Sequence, residues 1–104
     1  MKLITKILEK QTPRLYETED FSDELKIVQF KLFDCMSKWT WYIIEYCQEE
    51  KLAFGLVDGQ EQELGYISIS ELESLGWRIE RDLNWQPRSL AQLKKEITKS
   101  KFYV

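Results

Sequence analysis

Two strongly β-prone runs, separated by only three residues, constrain the fold more than any other feature of this chain. WTWYIIEYC (residues 39–47) combines aromatic and β-branched side chains without glycine or proline, and KLAFGLVD (residues 51–58) follows after QEE. Aromatic and β-branched residues favour strands, and a connection of this length is typical of a hairpin. The sequence therefore predicts an antiparallel β-hairpin.

The side-chain alternation of this hairpin predicts its register, if Cys47 faces Lys51. One face then forms the principal core, and the other carries small residues that leave room for an indole, a helix or another chain. Because both faces are apolar, the hairpin is expected to be central in a sheet. The pairs on the core face are Tyr46–Leu52, Ile44–Phe54 and Tyr42–Leu56, and those on the second face are Ile43–Gly55 and Trp41–Val57.

Helical spacing of apolar residues predicts a helix at each end of the chain. The N-terminal helix is expected to end before Thr12-Pro13, because a residue before proline avoids the helical conformation. A closing helix is expected from Ser89, as a possible cap, to Lys99. The apolar stripes are Leu3, Ile4, Ile7 and Leu8 in the first helix and Leu90, Leu93 and Ile97 in the last.

Alternation predicts three further strands. They are Leu25 to Phe33, with Val28, Phe30 and Leu32 on one side; Leu64 to Ile69, the third strand of a meander; and Trp77 to Trp85, with Trp77, Ile79, Leu83 and Trp85 on the apolar side.

A short helix is expected after the meander. Ser70 and Glu73 have the spacing of a capping box, Leu72 and Leu75 are the expected buried residues, and Gly76 is placed to end the helix in the left-handed conformation. The sum is an α+β fold: a four- to five-stranded, mainly antiparallel meander sheet with short N-terminal, post-meander and C-terminal helices.

The length of 104 residues predicts a single domain over residues 1–104. No apolar run approaches the ~20 residues that cross a bilayer, and the first ten residues lack the apolar block of a signal peptide. The expected location is the cytoplasm, with no membrane partner.

The residue inventory argues against an enzyme. The chain has no histidine, which is the commonest general base and metal ligand. Cys35 and Cys47 lack a disulfide or CxxC pattern and are interpreted as small hydrophobes. The sequence therefore predicts no catalytic residues, no cofactor and no metal. An enzyme would need a pocket that brings Arg81 together with Glu63, Glu80 or Asp82.

The net charge of −3 is unevenly distributed along the chain. Residues 45–73 hold eight acids and one lysine, a net charge of −7, whereas residues 88–104 have a net charge of +4. Such asymmetry can steer a charged partner to one face. Arg81, on the apolar side of its strand, can snorkel, pair with Glu45, Glu63 or Asp82, or anchor an interface. The predicted partner-binding residues are Glu49, Glu50, Asp58, Glu61, Glu63, Trp39, Trp41 and Arg81.

An alternative is binding of nucleic acid. Aromatic side chains on adjacent strands could stack on bases, and a basic closing helix could contact phosphates. An isoelectric point near 5.1 speaks against this alternative, because such binding depends on positive charge. The aromatic residues are Trp39, Trp41, Tyr42 and Tyr46, and the lysines are Lys26, Lys31, Lys38, Lys94, Lys95, Lys99 and Lys101.

Four segments carry a family resemblance: WTWYIIEY (39–46), AFGLVDG (53–59), ELGYISISELES (63–74) and IERDL (79–83). In this order and spacing they resemble the bacterial family catalogued as domain of unknown function 2958, over nearly the whole chain. Family members often have a longer glycine- and proline-containing insertion where this chain has only LGW. The resemblance implies a small protein of plasmids, phages and other mobile elements that blocks a host defence system or acts in plasmid maintenance, and it implies no catalytic residues.

The leading hypothesis is therefore a non-enzymatic interaction protein of a mobile element. It is expected to bind and inhibit a protein of a restriction, CRISPR or DNA-processing system, because an acidic region can oppose a basic, nucleic-acid-binding surface. The chain is expected to be a monomer, or a homodimer if Trp39 and Trp41 are exposed beside Gly55.

Overall fold

The computed structural model describes residues 2–102 and consists of three α-helices, one 3₁₀ turn and seven strands. The helices are α1 (Lys6–Gln11), α2 (Ile69–Ser74) and α3 (Leu90–Phe102), and the 3₁₀ turn is Gly76–Arg78. The strands are β1 (Ile27–Val28), β2 (Phe30–Asp34), β3 (Thr40–Cys47), β4 (Leu52–Asp58), β5 (Gln62–Ser68), β6 (Ile79–Arg81) and β7 (Arg88–Ser89).

The main sheet has five antiparallel strands in the order β5-β4-β3-β2-β6. Strands β2 to β5 form a meander, and the chain then crosses through α2 to place β6 at the opposite edge. Strands β1 and β7 form a separate antiparallel pair. The sheet is open, and the predicted α+β class and antiparallel meander are confirmed.

The central hairpin β3–β4 has one irregularity that the sequence did not reveal. Its turn holds four residues rather than three, because Lys51 adopts a left-handed φ of 50° and Cys47 pairs with Leu52. A bulge between Ile43 and Glu45 then absorbs the extra residue. The predicted pairs Trp41–Val57, Tyr42–Leu56 and Ile43–Gly55 are correct, whereas Ile44–Phe54, Tyr46–Leu52 and Cys47–Lys51 are wrong by one residue.

The sheet has a core on each face rather than one principal core, and the bulge places Tyr46 on the face of Ile43. We define the front core as the cluster that includes Leu3, Ile4, Ile43, Tyr46, Ile67 and Leu72, covered by the N-terminal segment and α2. The back core contains Val28, Tyr42, Ile44, Leu56, Leu90, Leu93 and Ile97, covered by α3.

Two elements near the N-terminus differ from their predicted form. Leu3 and Ile4 are buried but precede α1, whose cap is Thr5, and Ile7 is exposed. The predicted strand over residues 25–33 is divided at Gln29 into β1 and β2. Val28 consequently lies in the back core, while Phe30 and Leu32 lie in the front core. The predicted end of the first helix before Pro13 is confirmed.

Helix α2 begins two residues earlier than predicted. Its cap is Ser68, whose hydroxyl oxygen accepts a hydrogen bond from the Glu71 N–H at 3.2 Å, rather than Ser70. Glu73 instead forms an ion pair with Lys51 at 2.9 Å. The left-handed conformation of Gly76 is confirmed by its φ of 60°. Leu72 is buried as predicted, whereas Leu75, after the last residue of α2, is exposed.

The predicted strand over residues 77–85 shortens to β6. Residues 76–78 form the 3₁₀ turn, so Trp77 projects into solvent and Leu83 is also exposed. Trp85 packs against the back core, with its ring 5.7 Å from that of Tyr42.

Helix α3 is confirmed with its predicted stripe. The Ser89 hydroxyl oxygen accepts from the Gln92 N–H at 3.1 Å, and Leu90, Leu93 and Ile97 are buried. No helix in residues 2–102 is long and apolar enough to cross a membrane.

Candidate functional site

Strand β5 forms a free edge of the main sheet. It has seven residues without proline or lysine, whereas the opposite edge strand, β6, has only three residues. An edge strand presents unpaired backbone groups, and natural proteins usually shorten such a strand or place proline or lysine on it. Strand β5 therefore offers the longer and less protected of the two edges.

The backbone pairing identifies which groups face outward. At one end of the β4–β5 pair the Ile69 N–H donates to the Lys51 carbonyl at 2.9 Å, and at the other the Gly59 N–H donates to the Glu61 carbonyl at 3.1 Å. Residues of an antiparallel strand alternate between facing the partner and facing away. The odd-numbered residues of β5 thus bond to β4, and the N–H and C=O groups of Leu64 and Tyr66 face the free edge.

A hollow of about 510 Å³ lies along this edge, and we name it the Trp39 hollow. Trp39 forms one wall, its indole packed over Gly59 and 6.3 Å from the Trp41 ring. Gly65 leaves the hollow open, because no atom lies within 4 Å of the position that a Cβ would take there. The lining residues are Trp39, Val57, Gln60, Glu61, Glu63, Leu64, Gly65 and Tyr66.

Apolar side chains flank the edge on the sheet face that carries Leu64 and Tyr66. Leu64 is 39% exposed and Tyr66 is 54% exposed. The Tyr66 ring lies 5.4 Å from that of Phe54 and 6.2 Å from that of Tyr16. The neighbouring Tyr16 phenol, followed by burial, raises the pKa of the Tyr66 hydroxyl. The edge is therefore bordered by a group of exposed aromatic rings.

The acidic residues of the Trp39 hollow have no cationic partner in the described part of the chain. Neither Glu61 nor Glu63 forms an ion pair there, whereas Asp34 pairs with Arg78 at 2.6 Å and Lys94 pairs with Asp23 at 2.8 Å. Glu45 is buried and accepts the Tyr16 N–H at 2.8 Å. The negative charge of Glu61 and Glu63 beside β5 is thus available to an external cation, as is that of Glu49 and Glu50 in the β3–β4 turn.

The structure brings together three of the predicted partner-binding residues, Trp39, Glu61 and Glu63. Asp58 is near them in the fold, at the end of β4 and paired with Gln62, but it does not line the hollow. Trp41 is partly buried against the front core. A homodimer was expected if both Trp39 and Trp41 were exposed, and only Trp39 is. The oligomeric state stays a prediction.

Glu49 and Glu50 lie elsewhere, in the β3–β4 turn at the opposite end of β4 from Asp58. They line a separate open groove of about 920 Å³ together with residues 9–17. Since β4 has seven residues, its ends are about 20 Å apart. The predicted acidic surface is therefore divided into two places.

Arg81 takes no part in either place. Its Nη1 donates to the carbonyl oxygens of Lys2 at 2.7 Å and Leu3 at 2.6 Å, and so it holds the N-terminal segment on the sheet. Strand β6, which carries Arg81, and strand β5, which carries Glu63, are the two outer strands, separated by roughly 19 Å across four strand spacings. The pocket that an enzyme would need between Arg81 and Glu63 is not formed.

The stacking surface of the nucleic-acid alternative is largely internal. Tyr42 and Tyr46 are buried, and burial raises the pKa of each hydroxyl to about 12. Lys26 is also buried, with its Nζ donating to the Thr18 carbonyl. Lys94 is engaged by Asp23, and the Lys101 side chain lies outside the described residues.

Sequence reasoning missed the backbone edge and the roles of Leu64, Gly65 and Tyr66. It placed all three in a strand of the meander but gave no reason for that strand to be an edge. No sequence signal marked this edge, because a further strand was predicted over residues 77–85 and the sequence does not say which strand it joins.

The comparisons agree with the resemblance seen in the sequence. A search of curated proteins and a search of solved structures each found no match. A family model described as "Protein of unknown function (DUF2958)" matches residues 2–99. Since this match covers nearly the whole chain, the protein belongs to the DUF2958 family.

Proposed function

We propose that this protein is a non-enzymatic binding protein whose target is a basic protein of a bacterial defence or DNA-processing system. The observation that carries the proposal is the free β5 edge, with Glu61 and Glu63 unpaired within the described residues beside the indole of Trp39. Charge, aromatic surface and exposed backbone thus occur together at one place.

The chemistry of this surface indicates the class of target. Unpaired carboxylates attract lysine and arginine side chains and increase the rate of encounter with a basic protein. Proteins that cut or process DNA expose such basic surfaces, because they must neutralise phosphates. Occupying that surface would compete with DNA and would inhibit the target without any chemical step.

The proposal is tested by inhibition of DNA cleavage. The purified protein is added to CRISPR nuclease–guide complexes and to restriction enzymes, and cleavage of a plasmid is followed over time. We expect inhibition of at least one target, weakening as salt is raised from about 50 to 300 mM because the contacts are electrostatic. Absence of binding and of inhibition across these enzymes would overturn the proposal.

A matched pair of charge reversals locates the surface. Glu61→Lys with Glu63→Lys should abolish inhibition, whereas Glu49→Lys with Glu50→Lys makes the same charge change at the other end of β4 and should leave it intact. The opposite result would assign the target to the β3–β4 turn and remove the role of the Trp39 hollow.

A further inference from the structure

We propose that β5 binds an extended basic segment of the partner protein by strand addition, so that a lysine or arginine of that segment enters the Trp39 hollow. This inference rests on the proposed function and specifies how the target is held. It requires an accessible strand edge, a place for alternate side chains and complementary charge, and each is present at β5.

The edge supplies the backbone contacts. The N–H and C=O groups of Leu64 and Tyr66 face away from β4, and no described residue pairs with them. An added strand about 4.8 Å away would bond to these groups and would become a sixth strand of the sheet. Because these bonds involve backbone atoms only, they fix the segment as extended without restricting its sequence.

The two faces of β5 specify the side chains of the segment. Successive residues of an added strand point to opposite faces. On one face they meet the exposed Leu64 and Tyr66 side chains, which favour apolar residues. On the other they meet the Trp39 hollow, where Gly65 leaves room and Glu63 supplies charge. The preferred segment therefore alternates apolar and cationic residues.

The hollow suits a cationic side chain in particular. An aromatic face attracts a lysine or arginine cation, and Trp39 is 41% exposed with its indole fixed against Gly59. Glu61 and Glu63 line the same space and can accept the hydrogen bonds of the cation. The aliphatic part of the side chain can lie against Val57.

Charge also distinguishes this occupant from a second copy of the chain. Pairing two β5 edges across a two-fold axis would bring Glu61 and Glu63 of both copies to one interface. Like charges at an interface oppose association. A basic segment neutralises the same residues, and so it is the favoured occupant.

The test uses random twelve-residue peptides displayed on phage and selected on the intact protein. We expect the selected peptides to have lysine or arginine at every second position next to apolar residues. A synthetic copy of a selected peptide should slow hydrogen exchange of the Leu64 and Tyr66 amides measured by NMR. Failure to select peptides, selection of acidic peptides, or unchanged exchange at these two amides would each overturn strand addition.

Two variants separate the backbone edge from the hollow. Leu64→Pro removes an outward N–H that β4 does not use, and Leu64→Ala is its control for the lost side chain. We expect at least about tenfold weaker peptide binding for the proline variant than for the alanine variant. Gly65→Val fills the hollow where a Cβ meets no atom, and it should weaken binding at least about tenfold with a melting temperature that does not fall. Equal affinity of Leu64→Pro and Leu64→Ala, or of Gly65→Val and the wild type, would contradict the proposal.

The results also separate this inference from the proposed function. If the Glu61 and Glu63 reversals abolish nuclease inhibition but Leu64→Pro inhibits like Leu64→Ala, the function stands and strand addition is wrong. If peptides bind at β5 but no defence protein is inhibited, strand addition stands and the target class is wrong. A dimer that Leu64→Pro dissociates in light scattering would assign the edge to a second copy and would overturn the basic-segment occupant.

Discussion

A single hydroxyl is expected to stabilise the start of α2. Ser68 accepts the Glu71 N–H, whereas Ser70 is exposed and forms no cap. Replacing a capping serine by alanine typically costs about 1 kcal/mol. Ser68→Ala should therefore lower the free energy of unfolding by about 1 kcal/mol in urea titrations. Ser70→Ala is the matched control, and equal losses in the two variants would contradict this assignment of the cap.

Replacing each of two glycines of the β4–β5 pair by alanine should have opposite effects on stability. A Cβ at Gly55 would clash with the carbonyl oxygen of Tyr42, next to the bulge, and backbone would have to move. Gly55→Ala should destabilise by about 1–3 kcal/mol, the usual range for overpacking. Gly65→Ala should be neutral or slightly stabilising, since the space is open and glycine weakens a strand. Urea denaturation of the two variants checks this contrast, and a stable Gly55→Ala variant would refute it.

Some of these residue roles were predictable from the sequence and others were not. Gly76 was predicted correctly, because a glycine after a short helix has one common use. The cap was placed wrongly because Ser68-x-x-Glu71 and Ser70-x-x-Glu73 have the same spacing. Only the pairing of β5 with β4, which extends to Ser68, distinguishes them. The roles of Gly55 and Gly65 depend on which backbone lies opposite each one, and composition does not contain that information.

Among the elements, the strands of the meander were predictable and their interruptions were not. β3, β4 and β5 follow from aromatic, β-branched and alternating residues. The bulge at Ile44 compensates for a turn one residue longer than the simplest reading, so the register is correct at Trp41 and wrong at Cys47. β6 was predicted too long because Trp77 and Leu83 keep the apolar alternation while pointing into solvent. Alternation reports apolarity and cannot distinguish a buried side chain from an exposed one.

The ion pair between Asp34 at the end of β2 and Arg78 of the 3₁₀ turn should make the fold less stable in acid. Arg78 donates to both carboxylate oxygens of Asp34, at 3.2 and 2.6 Å, and the Met36 N–H and the Ser37 hydroxyl also donate to this carboxylate. These bonds, with that of Arg78 the strongest, lower the pKa of Asp34 from 3.8 to about 2. A carboxyl whose pKa is lower in the folded state stabilises the fold above its unfolded pKa. The contribution is lost as the pH falls from about 4 through 2.

Asp34→Asn tests this coupling. The amide keeps the size of the side chain but does not titrate, so its free energy of unfolding should change less between pH 5 and pH 2.5 than that of the wild type. Glu71→Gln, an exposed carboxylate on α2, serves as the control and should retain the wild-type dependence. If the free energy of unfolding falls equally with pH in the wild type and in Asp34→Asn, Asp34 is not the cause of the loss of stability in acid.

At the scale of the whole molecule, the chain covers both faces of one open sheet. The N-terminal segment and α2 cover the front core, and α3 covers the back core. The general α+β arrangement followed from the sequence, but the free edge did not, because it depends on β6 joining the far side beside β2. That crossover leaves β5 paired on one side only, with β4. The backbone edge is thus a consequence of topology, whereas Trp39, Glu61 and Glu63 beside it were predicted from their charge and aromatic character.

Residues 13–26 form neither helix nor strand, and a buried carboxylate of β3 holds them against the sheet. Glu45 of β3 is only 3% exposed, and its carboxylate accepts from the backbone N–H groups of Tyr16 and Thr18 and from the Thr18 hydroxyl. Tyr16 has a left-handed φ of 72° and places its ring beside Tyr66 of β5. The buried carboxylate therefore positions one aromatic ring that borders the free edge.

Glu45→Gln should loosen this segment while the sheet remains folded. The amide replaces one accepting oxygen with a donor that faces an N–H, and leaving a buried donor unsatisfied costs about 1–3 kcal/mol. We expect a loss of that size in the free energy of unfolding, with faster hydrogen exchange at the Tyr16 and Thr18 amides. Glu63→Gln makes the same change at an exposed, unpaired position and should stay within about 0.5 kcal/mol. If Glu45→Gln also weakens peptide binding at β5, Tyr16 contributes to the edge surface; unchanged exchange at both amides would show that Glu45 does not hold the segment.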